Sequence, residues 1–325
     1  MSRNTSDTSG ARSGPEGEAP RGRLQDMARL ARPRHWIKNS IVLLPVIFAR
    51  RMAAPSAWGS AALAALAFCL GSGAVYSIND VLDRREDRAH PLKKNRPVAS
   101  GRISPRVAVG EGAVLSMAAL GVALAAAPGV AVVLLAYLLL QTVYSVGLKH
   151  VMILDVITIA VGFVLRASAG AVAIRVAVSP WLVVCAFTVC LFMGFCKRRT
   201  EVATLEGHGS PADHRRTLQG YTRELLLHLI TLSAAVAIVS YLGYATSART
   251  VEQFGTPYLA YTLPVVVYGI CRFAMLSMEA RYAGPTELML RDRPFQVAVA
   301  LWVGLAAAVV LWGAELQSWL PGPGW

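Results

Sequence analysis

Charge is scarce in this chain. Asp, Glu, Lys and Arg together make up 16% of its 325 residues, where a soluble domain carries about 25%. With 55% hydrophobic residues and a mean hydropathy of +0.48, this deficit excludes an ordinary soluble globular enzyme. Acid is scarcer than base: 19 Asp+Glu stand against 32 Lys+Arg, a formal net charge of +13. A basic excess can mark nucleic-acid binding, but no polar stretch is long enough to form such a domain, so no nucleic-acid partner is expected. Cytoplasmic loops of membrane proteins collect Lys and Arg, and the charge reads as topology together with an anionic substrate. Cysteine chemistry is missing too. Cys69, Cys185, Cys190, Cys196 and Cys271 form no CxxC pair and lie in or beside apolar runs, so they read as packing thiols rather than a zinc site or disulfide framework. The histidines contain no pair at metal-ligand spacing, and only His90 falls in a candidate site.

What the chain has in abundance is long apolar stretches. They fall at about 36–53, 58–78, 105–126, 129–147, 151–173, 180–196, 224–246, 257–276 and 295–315, near the ~20 residues a bilayer requires. They are continuously apolar rather than alternating, so they predict helices, which satisfy their own backbone in lipid. The fold class expected is all-α, a polytopic membrane protein of about nine spans around a central polar cavity. Residues 1–23, rich in Ser, Gly, Pro, Glu and Arg, read as a disordered tail. No short apolar core with a cleavage site follows them, so they are not read as a secretory signal. The catalytic unit is expected over 24–316 and a short C-terminal tail over 317–325. Arg21 to Lys38, with Leu24, Met27 and Leu30, predicts a short amphipathic helix on the membrane surface.

Nine spans make a testable topology. With the N-terminus inside, the cytoplasmic side receives 27 Lys+Arg and the other side 4, namely Arg50, Arg51, Arg175 and Arg249. That split follows the positive-inside rule. It places the N-terminus and the polar loops in the cytoplasm.

Those loops are not bland. The segment SINDVLDRREDRAHPLKKNRPVASGRIS holds Asn79, Asp80, Asp83 and Asp87, then Arg88, His90, Lys93 and Arg96. If the second helix continues to about Arg88, the Asn and the three acids share one face. Carboxylates so placed repel one another, and a divalent cation offsets the repulsion. Mg²⁺ prefers oxygen ligands and is commonly held by one or two carboxylates plus substrate phosphates. The basic residues that follow would contact the remaining phosphate oxygens. The bland alternative is a solvated acidic and basic loop. A second element, YSVGLKHVMILDV, runs from Tyr144 through Lys149 to Asp155, and Arg166 follows eleven residues on, about 16 Å along a helix. Ionisable groups there are costly and usually face a cavity or partner, so Asp155 and Arg166 are expected to line one polar cavity. Arg34, Lys38 and Asn39 open the first span, Lys197, Arg198, Arg199 and Glu201 close the sixth, and Arg291, Asp292 and Arg293 precede the ninth. For these, interfacial anchoring is the competing explanation. Gly71, Gly73, Gly162 and Gly170 read as sites of close helix packing. Small residues on the spans permit a homo-oligomer without setting its number.

The Asn-Asp-x-x-Asp-x-x-x-Asp pattern at a helix end resembles the first aspartate-rich motif of the UbiA-type intramembrane prenyltransferases. RPRHWIKN, NDVLDRREDRAHPLKKNRPVASG, YSVGLKHVMILDV, GFVLRASAGAVA, KRRTE and LRDRPFQ occur in order from about residue 29 to 315. Together they resemble the branch of that superfamily that moves 5-phosphoribose. The resemblance implies Mg²⁺-dependent transfer from phosphoribosyl diphosphate to a polyprenyl (decaprenyl) phosphate, releasing diphosphate. The product feeds arabinose donors for cell-wall polymers, which places the enzyme in the plasma membrane. It implies that Asp80, Asp83 and Asp87 hold the metal. Asp155 acts beside them on a metal or a ribose hydroxyl. Lys38, Asn39, Asn79, Arg88, Lys93, Arg96, Tyr144, Lys149, Arg166 and Lys197 contact the substrates. Conventional members instead join a prenyl diphosphate to an aromatic or other acceptor and usually carry a second acidic pair; here Asp155 stands alone in DVITIAV. A lipid or ion transporter is the reading from another class. The acids gather at one rim rather than at mid-bilayer, and no broken-helix repeat is evident.

Overall fold

The computed structural model describes residues 22–89, 93–208, 218, 220–282 and 284–319. The N-terminal tail up to residue 21, and with it most of the segment read as disordered, lies outside these residues, as does His90. Among the described residues every regular element is helical. In chain order they are α1 (Arg23–Leu30), a 3-10 segment (Pro33–Leu43), α2 (Leu44–Phe48), α3 (Pro55–Leu82), α4 (Arg84–Ala89), α5 (Pro105–Ala126) and α6 (Pro128–Val146). Then follow α7 (Leu154–Ala173), α8 (Pro180–His208), α9 (Arg223–Thr246), α10 (Ala248–Phe254), α11 (Leu263–Met278), α12 (Pro285–Arg291) and α13 (Arg293–Trp319).

Proline marks where these helices begin. Pro55, Pro105, Pro128, Pro180 and Pro285 each occupy the first helical position, where a missing N–H costs nothing and φ is already helical. Side-chain caps serve three starts, one of them also marked by proline: Ser104, Thr222 and Ser247 accept from Val107, Leu225 and Thr250 N–H. Asp292 does the same for α13, accepting from Phe295 N–H at 2.8 Å while Arg272 grips it at 3.2 and 2.8 Å. These hydrogen bonds, Arg272's first, hold its carboxyl below the usual range. The LRDRPFQ motif therefore contains a helix cap. The last helix runs to Trp319, into the stretch expected as a tail.

Among the described residues eight helical stretches are long and apolar enough to cross a membrane, and the chain is a multi-pass membrane protein. The expected first span, 36–53, takes a different form. Pro45 lacks an N–H and its ring clashes with the carbonyl four residues back, so an α-helix cannot run through it. The chain instead makes eleven residues of 3-10 helix followed by the five of α2. A 3-10 helix rises about 2.0 Å per residue against about 1.5 Å for α. The two pieces together reach about 30 Å, the thickness of the hydrocarbon core. Arg32 pairs with Asp80 at one end, and the Phe48 carbonyl accepts from Gln253 at the other. With the eight helices, this stretched segment makes the described residues approximately consistent with the nine expected spans.

The bundle has two main cores. Phe68, Ala119, Leu134, Tyr137, Ala169 and Val42 unite α3, α5, α6, α7 and the 3-10 segment. Phe192, Phe195, Leu226, Phe273 and Leu288 unite α8, α9, α11 and α12. Val156, near the start of α7, belongs to the second core, so α7 joins both. Leu30 of α1 is buried against Val98, Ile103 and Ala108, while Leu24 is 82% exposed. The acid-rich segment lies at the end of α3, where α1, α4, the loop after it and the start of α7 converge.

Gly170 sets the distance between α7 and the 3-10 segment. A Cβ there would lie 1.9 Å from the Val42 carbonyl oxygen. Overpacking costs about 1–3 kcal/mol where neighbours can yield, and here the obstacle is backbone. Gly170→Ala should lower the melting temperature in detergent and the yield of folded protein. Gly121→Ala, where nothing lies within 4 Å, should leave both unchanged or slightly improved.

Candidate active site at the acid-rich rim

The α-helix expected to reach Arg88 breaks at Asp83. α3 stops at Leu82, Asp83 adopts φ −86 and ψ 4, and α4 starts at Arg84. Backbone bonds from Asp83 to Asn79 (2.9 Å) and from Asp87 to Asp83 (2.8 Å) preserve the approximate register. The side chains therefore gather as two pairs rather than on one continuous face. Asn79 Nδ2 donates to Asp83 Oδ2 at 2.8 Å. Asp80 and Asp87 share Arg96, whose NH1 lies 3.3 and 2.7 Å from them. Asp80 also pairs with Arg32, and Asp83 with Lys149. All three acids are buried, at 2%, 6% and 3% exposure. Among the described residues no three His, Cys, Asp or Glu side chains gather as a metal cluster. The expected three-carboxylate centre is thus resolved into a convergent pair, Asp80 and Asp87, with Asp83 turned toward Lys149.

The expected phosphate contacts divide in the same way. Arg96 and Lys149 point into the acids. Arg88 turns away, its Nε donating to the Ala99 carbonyl at 2.8 Å and bracing the loop. Lys93 opens the short turn Lys93–Asn95 next to Arg96. The charges that act on Lys38 are all positive: Lys197, Arg166 and Arg32. Beneath it lies a buried polar node. Arg166 is 6% exposed; its Nε donates to Asn39 Oδ1 at 2.7 Å, and its other nitrogens to Tyr137 OH (2.7 Å) and the Gly162 carbonyl (3.0 Å). Its guanidinium carbon lies 4.6 and 5.1 Å from the centres of the Tyr137 and Phe163 rings. This cation is held by dipoles and aromatic faces, with no carboxylate partner among the described residues.

Asp155 does not join Arg166 along one open cavity. It is wholly buried, accepts from Tyr221 OH at 2.8 Å, and lies 2.8 Å from Arg198, which also pairs with Glu201. Tyr144 lies within electrostatic reach of Arg198. Tyr221 OH also accepts from the Ile153 N–H at 2.8 Å, holding that β-branched residue at φ 70. Burial pushes the Tyr221 phenol up, so it remains a donor to Asp155. Lys197, half exposed, sits 3.6 Å from Glu201. Sequence reasoning weighted Lys197, but Arg198 turns inward, at 2% exposure. It also missed Arg32, Tyr137 and Tyr221. A lone phenol inside the apolar run AVVLLAYLLLQ was a usable signal for Tyr137; nothing local singles out Tyr221.

The rim thus combines a buried acid cluster, each member paired with a specific cation, with a neighbouring group of cations in which Arg166 is held by dipoles and Lys197 lies beside Glu201. The profile of the UbiA prenyltransferase family matches residues 42–290. The chain belongs to the UbiA prenyltransferase family. Within it, the chain is 31% identical over 307 residues to decaprenyl-phosphate phosphoribosyltransferase of Mycolicibacterium smegmatis, covering 91% of this chain and 96% of that one. It is 31% identical over 299 residues to the protein of that name from Corynebacterium glutamicum, covering 88% and 87%. The UbiA homologue from Archaeoglobus fulgidus, solved with GPP and Mg²⁺, shares the UbiA fold with a TM-score of 0.65 at 20% identity, over 88% of this chain and 99% of that one. A membrane-embedded transferase follows from the family.

Removing one partner of a buried ion pair leaves an unpaired charge and costs about 3–5 kcal/mol. Lys149 and Asp83 are 4% and 6% exposed. Lys149→Met should therefore lower thermal stability strongly, and the double change Asp83→Asn/Lys149→Met should recover most of the loss. Melting curves in detergent check this; equal melting of single and double variants would remove the pair from the account.

Proposed function

We propose that this protein transfers 5-phosphoribose from phosphoribosyl diphosphate to a polyprenyl phosphate, releasing diphosphate. The observation that carries the reading is that Asp155 stands alone. A site that clamps a prenyl diphosphate between two acidic motifs needs more than one carboxylate in each. Here one set holds three, Asp80, Asp83 and Asp87, while the second position holds Asp155, tied to Arg198 and Tyr221. Similarity to relatives that carry the phosphoribosyltransferase name over 91% of this chain supports the same choice.

The donor set fits Mg²⁺. Asp80 and Asp87 already converge on one positive centre, the Arg96 nitrogen at 3.3 and 2.7 Å, and all the candidate donors are hard oxygens. Asp80 and Asp87 would hold the ion, with Asp83 and Asn79 beside them. When bound, Mg²⁺ supplies Lewis-acid stabilisation of the departing diphosphate. Arg32, Arg96 and Lys149 bring the cationic N–H groups that reach phosphate oxygens. Lys38 and Lys197 bring further cationic groups for the acceptor's phosphate, Lys197 with Glu201 3.6 Å away, and Arg166 adds positive charge from the buried node beneath them. The C1–oxygen bond to diphosphate breaks as lipid phosphate forms a new C1–oxygen bond from the opposite face, so the configuration at C1 inverts. A phosphate monoester with a second pKa near 6 is largely dianionic at neutral pH, so the attack needs no general base. The asymmetry of 27 basic residues against 4 supports a cytoplasmic rim and N-terminus, and the plasma membrane is where such a lipid-linked sugar is used.

Membranes containing the protein, given labelled phosphoribosyl diphosphate, decaprenyl phosphate and Mg²⁺, should form a lipid-linked ribose phosphate. Chelation should stop the reaction and added Mg²⁺ restore it. Asp80→Ala or Asp87→Ala should slow it about a thousandfold, equivalent to about 4 kcal/mol, with folded protein still in the membrane. Transfer of label from a prenyl diphosphate to an aromatic acceptor, with none from phosphoribosyl diphosphate, would establish the conventional family reaction instead.

A further inference from the structure

The four basic residues of the face opposite the acid-rich rim are not scattered. Arg50, Arg51, Arg175 and Arg249 line one cavity of about 420 Å³, within the size range of small-ligand sites. They come from three separate places: the end of α2, the end of α7 and the start of α10. No Asp or Glu lines the cavity. Among the described residues none of the four pairs with a carboxylate. Two are fixed by backbone carbonyls. Arg50 NH1 donates to Gln253 O at 3.2 Å, and Arg249 NH2 to Ala177 O at 2.6 Å. Each keeps further N–H groups for another acceptor.

Two positions bear a conformational cost. Arg50 and Arg175 have φ 54 and φ 55, the left-handed region that glycine occupies without penalty. Arginine stands at both. All four side chains are exposed, as interfacial anchoring also requires; what anchoring leaves unexplained is their convergence on one concavity from three places in the chain. Phe48, Leu182 and Val176 belong to the same lining, so the cavity offers apolar walls as well as charge.

We propose that this cavity binds the phosphate of an anionic lipid headgroup from the leaflet opposite the acid-rich rim. The recognised chemistry is a phosphate gripped by convergent guanidinium groups; the apolar wall favours its delivery on a lipid over free phosphate.

Purified protein in neutral detergent, titrated calorimetrically with dioctanoyl phosphatidylglycerol, dioctanoyl phosphatidylcholine and inorganic phosphate, tests the proposal. The comparison is wild type against Arg51→Gln/Arg175→Gly. Glycine suits the backbone at 175, so the variant should melt no lower than wild type. Phosphatidylglycerol should bind the variant about tenfold more weakly, a difference that shrinks as salt screens the charges. Equal affinity of both proteins for phosphatidylglycerol overturns the site. Phosphatidylcholine binding as tightly as phosphatidylglycerol overturns its anionic basis. Inorganic phosphate binding as tightly as the lipid, and weakened by the same substitutions, overturns the lipid as occupant.

Discussion

Removing a charge from water is expensive, and that expense organises this protein. Every buried acid near the rim has a named cation: Arg32 and Arg96 for Asp80, Arg96 for Asp87, Lys149 for Asp83, Arg198 for Asp155. Without them, desolvation would drive the carboxylates toward their neutral forms. The pairs come from distant parts of the chain, since Asp80 is reached from residue 32 and Asp83 from residue 149. The same contacts that solvate the acids therefore also fasten α1, α3, the loop after α4 and the approach to α7 together. Stability and site geometry are one set of interactions.

The complementary half of the site breaks that pattern. Lys38 lies within electrostatic reach of Lys197, Arg166 and Arg32, and Arg166 is buried against an amide, a phenol and a carbonyl. A buried cation without a carboxylate is tolerated where such dipoles stand in for one. Lys197, at the edge of the group, has Glu201 3.6 Å away.

Much of this was legible beforehand. Length and continuity of apolar runs carry the span count, because a bilayer imposes a minimum length that no local propensity overrides. Helical spacing puts Asn79, Asp80, Asp83 and Asp87 on one face, and the structure divides them into two pairs, Asn79 with Asp83 and Asp80 with Asp87. Spacing could not reveal the turn at Asp83, which depends on the chain leaving the membrane there. The first span read as an α-helix since hydropathy is blind to helix type, though Pro45 held the clue. Choosing Lys197 over Arg198 failed for a simple reason: adjacent residues on a helix point about 100° apart, and only packing decides which one turns inward. Tyr221 and Arg32 were invisible because their partners lie far away in the chain.

The order of residues around Arg166 has a bearing on how the protein is made. A guanidinium at the middle of an isolated helix costs about 2.5–3.5 kcal/mol on insertion. Asn39 and Tyr137, its two side-chain hydrogen-bond partners, both precede it in the chain. When α7 leaves the ribosome, the groups that shelter its arginine have already been synthesised. The arginine can thus be sheltered as soon as α7 packs against the first crossing and α6, with no later segment required.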